Sequence, residues 1–369
     1  MRAGHKKLHI SQPGSAGVAR VAIEQATYEA KRGWDVHIAC PSDSWLALEA
    51  TQRGLGHVPW ESERSPVRGV VTESSQLSRL IERLEPDLVH LHSAKAGMIG
   101  RLVVRRRIPT IFQPHAWSFD ALSGPPAALA TRWEALALKR WTSHLVCVSE
   151  RERSGLAAAR SEGNVTVVPN GVDLEYWRPM DRLAARQKLG IPKDVRVVVC
   201  VGRLSRQKGQ DRLLLAWPRI RSRVPDAELY IVGTGSFSSH QAAQPGVFVV
   251  GEADPRPYYA SADVVAVPSR WEGMALAPIE AIACGRHVVS FEVAGIKETL
   301  GVSGVVIPQQ ETDAFSAAII DWLHKNPIER DVDELRARDW AKSHFSIHKS
   351  HRIILELSAS LMACQVGEG

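Results

Sequence analysis

The sequence predicts an α/β protein built from two Rossmann-like, doubly wound domains facing a central cleft. Three observations carry that reading. The chain has 369 residues, more than one ordinary hydrophobic core accommodates. Short apolar runs alternate with stretches of helical period, as in a parallel sheet covered by helices. The pattern also runs through once, breaks, and starts again.

In the first half the runs are "LHIS" (8–11), "DVHIACP" (35–41), "DLVHLHS" (87–93), "PTIFQP" (109–114), "HLVCVSE" (144–150) and "NVTVVPN" (164–170). Between them lie stretches such as "RVAIEQATYEAKRG" (20–33), helical in period and closed by Gly33. "NGVDLEYWRPMDRLAARQKLG" (170–190) carries a turn signal at Asn170-Gly171 and Pro179, and reads as a connection. The second set is "VRVVVCVG" (195–202), "AELYIVGTG" (227–235), "GVFVVG" (246–251), "DVVAVPS" (263–269), "HVVSFEV" (287–293) and "GVVIPQ" (304–309). The boundaries that follow are a first domain over 1–175, a linker over 176–194 and a second domain over 195–340. The amphipathic stretch 347–364 is expected to pack back on the first domain.

Composition removes several function classes. A 44% hydrophobic content is that of a globular chain. No run reaches the roughly 18 apolar residues of a membrane span, and the N-terminal residues contain no apolar signal-peptide core. The five cysteines, Cys40, Cys147, Cys200, Cys284 and Cys364, are scattered without metal-like spacing and read as small hydrophobes in a reducing cytoplasm. Residues 1–170 hold 22 Lys+Arg against 16 Asp+Glu, so the net charge of +6 lies entirely in the first half. "RLVVRRRIP" (101–109) is its densest run. It reads either as a solvated helix end or as attraction to an anionic lipid surface or a phosphorylated substrate, placing the protein in the cytoplasm or at the inner face of the membrane. No nucleic-acid partner is expected, because no recognised motif or aromatic interleaving accompanies the charge.

In doubly wound sheets, ligands bind outside the carboxyl ends of the strands. "RWEGMALAPIEAIACGR" (270–286) follows a strand. The reading places Glu272 in the loop, and Glu280 in the first turn of a helix that has Pro278 in that same turn and is closed by Gly285. Between them the amides of Gly273, Met274, Ala275 and Leu276 can meet an anion. The two carboxylates can accept from sugar hydroxyls, or Glu280 can merely complement the helix dipole. "VGRLSRQKGQ" (201–210) offers Arg203, Arg206 and Lys208 at the same end of the sheet, where a diphosphate needs cations.

In the first half, "SQPGSAGVARVAIE" (11–24) is a glycine-bearing turn from strand to helix, but it is not a dinucleotide fingerprint. His115 in "FQPHAWS", and His92 with Lys95 in "VHLHSAKAG", stand at strand ends. There is no Ser/His/Asp order, no HExxH and no phosphate-binding P-loop.

Taken together and in order, "PNGVDLEYWRP", "VGRLSRQKG", "IVGTG", "SADVVAVPS" and "EGMALAPIEAIACG" resemble glycosyltransferase family 4, whose fold is glycosyltransferase B. The resemblance covers nearly the whole chain. It implies a retaining, metal-independent transferase in which Arg203 and Lys208 hold the donor diphosphate and Glu280 binds the ribose. Glu272 would contact the transferred sugar near the amides of Gly273 to Leu276, and the base would lie by Val250 and Glu252. His115 would touch the donor sugar. Gly17 matches the second glycine of the family's Gly-Gly turn, with Ala16 in place of the first. The implied partners are a nucleotide-sugar donor, UDP- or GDP-linked, and an acceptor glycan, glycolipid or small molecule on the first domain. No cofactor and no metal are implied. "HSAKAGMIGRLVVRRRIPTIFQPHAWSF" further resembles enzymes that build cell-surface polysaccharide. A sugar-nucleotide epimerase of the same fold, and a non-catalytic nucleotide-sugar binding module, remain the alternatives.

Overall fold

A computed structural model describes residues 4–63, 65, 68–155, 164–235 and 243–366. They form two compact units. One comprises residues up to Pro169 together with those from Lys349 onward; the other is Asn170–His348.

The first unit holds a parallel sheet of seven strands: β1 Lys6–Ser11, β2 Asp35–Cys40, β3 Gly56–Pro59, β4 Leu88–His92, β5 Thr110–Gln113, β6 His144–Cys147 and β7 Val165–Val167. They lie in the order β3-β2-β1-β4-β5-β6-β7, so the strand order reverses between β1 and β4. Six of the seven are apolar runs of the sequence. β3, "GHVP", is a four-residue edge with a glycine and a proline, too short to stand out.

Alternation along β1 and β4 separates the two faces of this sheet. Leu8, Ile10, Val89 and Leu91 join Phe112 and Trp60 in one core. The other face carries Lys7, His9, His90 and His92, with His9 paired to His90 and Ser11 to His92 across the strands. Its apolar part, Leu88, Ile111, Val146 and Val168, packs against Ile354 and Met362 of the helix Ile347–Val366. Ser350 on that helix donates to the Pro169 carbonyl at 2.7 Å.

Three non-glycine residues of this unit take a left-handed backbone just after strands β1, β4 and β5: Ala16 at φ 66°, Ser93 at φ 76° and His115 at φ 60°. L-residues pay about 1–2 kcal/mol for that conformation, and such strain concentrates at functional sites.

The second unit holds six parallel strands: β8 Arg196–Val201, β9 Ala227–Val232, β10 Val247–Gly251, β11 Val264–Val267, β12 Val288–Phe291 and β13 Gly304–Ile307. The order β10-β9-β8-β11-β12-β13 reverses between β8 and β11. All six coincide with apolar runs of the sequence. Its core centres on Trp217, Phe291, Phe315 and Trp322. Buried Asp263 accepts from Arg186 at 2.8 Å and from Arg330 at 3.2 Å, and so ties two helices to the sheet. One of them, Arg182–Leu189, lies inside the stretch that read as a linker. The chain enters this unit at Asn170 and leaves it near Ile347, where Val172 and Ile347 are hydrogen-bonded. Gly171 allows that approach: a Cβ there would stand 2.6 Å from the Ile347 backbone.

The four cysteines whose side chains are described are free and buried, and burial pushes the thiols of Cys40 up to about 11 and Cys200 up to about 12. The Cys364 side chain lies outside the described residues. Among the described residues no helix is long and apolar enough to cross a membrane.

Candidate active site

In the second unit, the reversal point between β8 and β11 gathers the residues singled out in the sequence. The loop after β8 holds Arg203 and Lys208. The loop after β11 holds Ser269 and Glu272. Gly209, at φ 68°, lets the first loop press on the second, because a Cβ there would meet the Pro268 carbonyl oxygen at 2.1 Å. Lys208 Nζ donates to Glu272 Oε1 at 2.6 Å, and Ser269 Oγ donates to the same oxygen at 2.8 Å. Glu272 is 6% exposed, so this ion pair is mostly withdrawn from water. Gln207 braces the two loops, donating to the Trp271 carbonyl at 3.1 Å. A small concavity beside the pair is lined by Val201, Lys208, Ser269, Ala275, Ala277 and Pro278.

The helix that follows is Leu276–Ala283, with Ala275 at its N-cap and no capping side chain. Gly285 stands at φ 73° just beyond its end. Asn170 Nδ2 donates to the Met274 carbonyl at 2.7 Å and holds the entry loop in place. The amides of Gly273, Met274, Ala275 and Leu276 donate to no other described residue. They are the unsatisfied donors that a helix N-terminus presents to an anion.

Glu280 corrects the sequence reading. It is the fifth residue of its helix and so lies in the second turn, not the first. The helix dipole falls off within the first turn, so the dipole does not account for a carboxylate there. Glu280 is 4% exposed and accepts from the Tyr259 hydroxyl at 3.2 Å. Arg206 is exposed on the rim and uses its carbonyl to accept from Arg270, whose guanidinium is bound to Asp211 at 2.6 Å. Val250 and Glu252 lie at the end of the edge strand β10, half-buried and exposed respectively.

In the first unit the expected residues also stand at the carboxyl edge. Gly17 follows Ala16 at the start of the helix Ala16–Ala30. A Cβ at Gly17 would meet nothing within 4 Å, and its φ is not left-handed, so neither packing nor backbone requires glycine there. His115, after β5, places Nε2 3.1 Å from Nδ1 of His92. His92 in turn places Nε2 2.9 Å from Nδ1 of His9, and His9 Nε2 is 2.8 Å from Glu29 Oε2. Lys7 closes the row, donating to Glu29 Oε1 at 2.6 Å and to Ser358 at 2.9 Å. Burial holds His9, His92 and His115 below the ordinary histidine value, His115 down to about 3. Burial alone would raise Glu29; Lys7 and the hydrogen bonds it receives outweigh that and hold it at about 2. Glu29 is therefore a carboxylate beside neutral imidazoles.

His9, His90 and Glu29 were not among the sequence candidates. The signal for the histidines is the period-two spacing of His90 and His92 in "LVHLH", which sends both to one face, where strand pairing sets His9 beside His90. Two residues that looked available are not. Lys95 is buried against Glu73 at 2.9 Å. Arg101, first of the basic run, is fully buried, pairs with Glu134 at 2.7 Å and lies over the Phe112 ring. Arg105, Arg106 and Arg107 are exposed.

Residues 15–176 match the family described as "Glycosyltransferase Family 4", and residues 195–325 match "Glycosyl transferases group 1". A GDP-mannose-dependent alpha-(1-6)-phosphatidylinositol monomannoside mannosyltransferase of Mycolicibacterium smegmatis is 32% identical over 89% of this chain and 91% of its own. Among solved structures, sucrose-phosphate synthase from Thermosynechococcus elongatus superposes with a TM-score of 0.83 at 20% identity, covering 98% of this chain and 100% of that one. HepE from Anabaena, in complex with UDP-glucose, gives 0.82 at 21% identity over 96% of this chain and 99% of its own.

Proposed function

The chain belongs to glycosyltransferase family 4 and is a glycosyltransferase of glycosyltransferase B fold, and from that premise we propose that it transfers a sugar from a UDP- or GDP-linked donor to an acceptor hydroxyl with retention and without a metal. The observation that carries the proposal is the Lys208–Glu272 pair beside four undonated amides at the reversal point of the second sheet. Lys208 and Arg203 meet the donor diphosphate as point charge and fork. Those cations and the amides of Gly273 to Leu276 stabilise the charge that grows on the leaving phosphate. Glu280, buried beside Tyr259, accepts from the ribose, and the base lies along Val250 and Glu252. Glu272 accepts from hydroxyls of the transferred sugar, as does His115. Gly17 lets backbone approach the donor closely, which the open space at its Cα position favours.

In the step itself, the acceptor oxygen attacks the anomeric carbon on the face from which phosphate leaves. The carbon–oxygen bond to phosphate breaks, and the acceptor proton passes to a leaving phosphate oxygen. The cations already in place supply the charge that a metal would otherwise bring. Full loss of activity in excess EDTA, restored by Mg²⁺ or Mn²⁺, would refute the metal-free reading.

The acceptor reading is a glycan or glycolipid of the kind named for the mycobacterial relative. Arg105, Arg106 and Arg107 suit weak contact with an anionic lipid surface, each worth about 1 kcal/mol near it. Arg101 is excluded by its burial.

The central test is a thermal-shift screen of UDP-, GDP-, ADP- and dTDP-sugars. A specific donor at 100-fold its dissociation constant adds about 2.7 kcal/mol, so one base should stand out. That shift should be lost in Lys208→Ala. No shift from any of them would overturn the proposal.

A further inference from the structure

The row from Glu29 to His115 has a direction. Each nitrogen of a neutral imidazole either carries its hydrogen and donates or is bare and accepts. Glu29, as a carboxylate, only accepts. His9 Nε2, 2.8 Å from Glu29 Oε2, must therefore carry hydrogen. His9 Nδ1 is then bare, and it can accept only if His92 Nε2, 2.9 Å away, carries hydrogen. By the same rule His92 Nδ1 is bare, and His115 Nε2, 3.1 Å away, donates to it. What remains is His115 Nδ1, which has no hydrogen bond among the described residues.

We propose that Glu29, His9 and His92 are positioning residues that lock His115 in its Nε2–H tautomer, so that the nitrogen it offers a ligand is a hydrogen-bond acceptor for a sugar hydroxyl. The surroundings support one direction only. Lys7 and Gln25 both donate to Glu29 Oε1, each at 2.6 Å, which keeps the carboxylate in place and leaves Oε2 to His9. Burial disfavours a second proton on any ring of the row. The left-handed backbone of His115 is the kind of outlier that a demanded side-chain direction explains.

A competing use of the same rings is a metal, because ligand nitrogens of His9, His90 and His92 lie within 4.8 Å of one another. An ion between His9 Nδ1 and His92 Nε2 would need both of them bare, whereas the row places a hydrogen on His92 Nε2 to span their 2.9 Å. The row and the ion are mutually exclusive.

The proposal rests on the reading that His115 meets the donor sugar, and the test separates the two. Nitrogen-15 NMR of the ligand-free full chain should show His9, His92 and His115 all as neutral Nε2–H rings. An Nδ1–H or doubly protonated His115, or stoichiometric zinc held by His9 and His92, would overturn the row whatever the activity. Glu29→Gln should reverse it: the carbonyl must face Lys7 and Gln25, so the amide NH₂ faces His9 and donates. His115 then becomes Nδ1–H, and kcat/KM should fall a hundredfold or more, as when an orienting carboxylate is replaced and the tautomer is wrong. Affinity for UDP or GDP alone should not change. An unchanged His115 tautomer in Glu29→Gln, or a loss confined to nucleotide affinity, would overturn the proposal. Full activity in His115→Ala would instead overturn the sugar contact, whatever tautomer is seen.

Discussion

Lys208 and Glu272, 64 residues apart in sequence, are joined by an ion pair of 2.6 Å. The sequence suggests separate partners for them, diphosphate for the lysine and sugar for the glutamate. The structure makes them one unit, in which each holds the other in position.

That coupling predicts non-additive kinetics. Lys208→Ala and Glu272→Gln should each lower kcat/KM about a hundredfold, roughly 3 kcal/mol. The double variant should lose far less than the product of the two, because residues in one ion pair share their effect. Steady-state rates of the three variants decide it. Multiplicative losses would mean that the two side chains act independently.

Stability of the second unit should hang on Asp263. Its carboxylate meets Arg186 and Arg330, both nearly buried, and Arg186 also donates to the carbonyls of Ser261 and Lys193. Asp263→Ala leaves two guanidinium groups without their anion and is expected to cost about 3–5 kcal/mol. A urea midpoint within experimental error of the wild type would contradict this.

Ala16 and Gly17 should respond in opposite ways. Ala16→Gly relieves a left-handed L-residue worth about 1–2 kcal/mol and gives back about 0.4–1 kcal/mol of unfolded-chain entropy, so a small net stabilisation is expected. Gly17→Val has room in the fold. It should leave the unfolding transition almost unmoved and lower transferase activity. An inactive but unfolded Gly17→Val would refute that division.

Acid should destabilise the protein between about pH 7 and pH 4. His115 and His287 have folded values near 3 and 4, both held down by burial, while the unfolded chain titrates near 6.5. Below 6.5 the unfolded state binds the extra protons, so stability falls as pH falls toward the folded values. Each such histidine costs about 2 kcal/mol by pH 5. Chemical denaturation at pH 7 and pH 5 measures the difference, and a rise in stability on acidification would reverse the sign.

How far the sequence carries can be judged residue by residue. Runs such as those of β8, β11 and β12 become strands because buried parallel strands are apolar throughout. β3 escapes because an edge of four residues with Gly56 and Pro59 has no such run. Arg203, Lys208 and Glu272 were legible because loops at carboxyl ends of strands are ligand positions in this fold class. The turn occupied by Glu280 was not, because the helix already starts at Leu276, which puts Pro278 third, in the first turn as expected, and Glu280 fifth. Burial of Arg101 was hidden for a different reason. Its partner Glu134 comes from another helix, and charge counted along the chain does not see such pairings. The histidine row needed the register His9 to His90 and Ser11 to His92, which only the assembled sheet supplies.

The helix Ile347–Val366 has a consequence for synthesis. It covers Leu88, Ile111, Val146 and Val168, yet about 180 residues separate Pro169 from Lys349, where the first unit resumes. At translation rates of about 5–20 residues per second, that sheet face waits roughly 10 to 40 seconds on the ribosome for its cover. Lys7, 351 residues before Ser358, waits roughly twice as long for it. The first half of the chain is therefore made first and finished last, and the interval is when its apolar face is open to wrong partners.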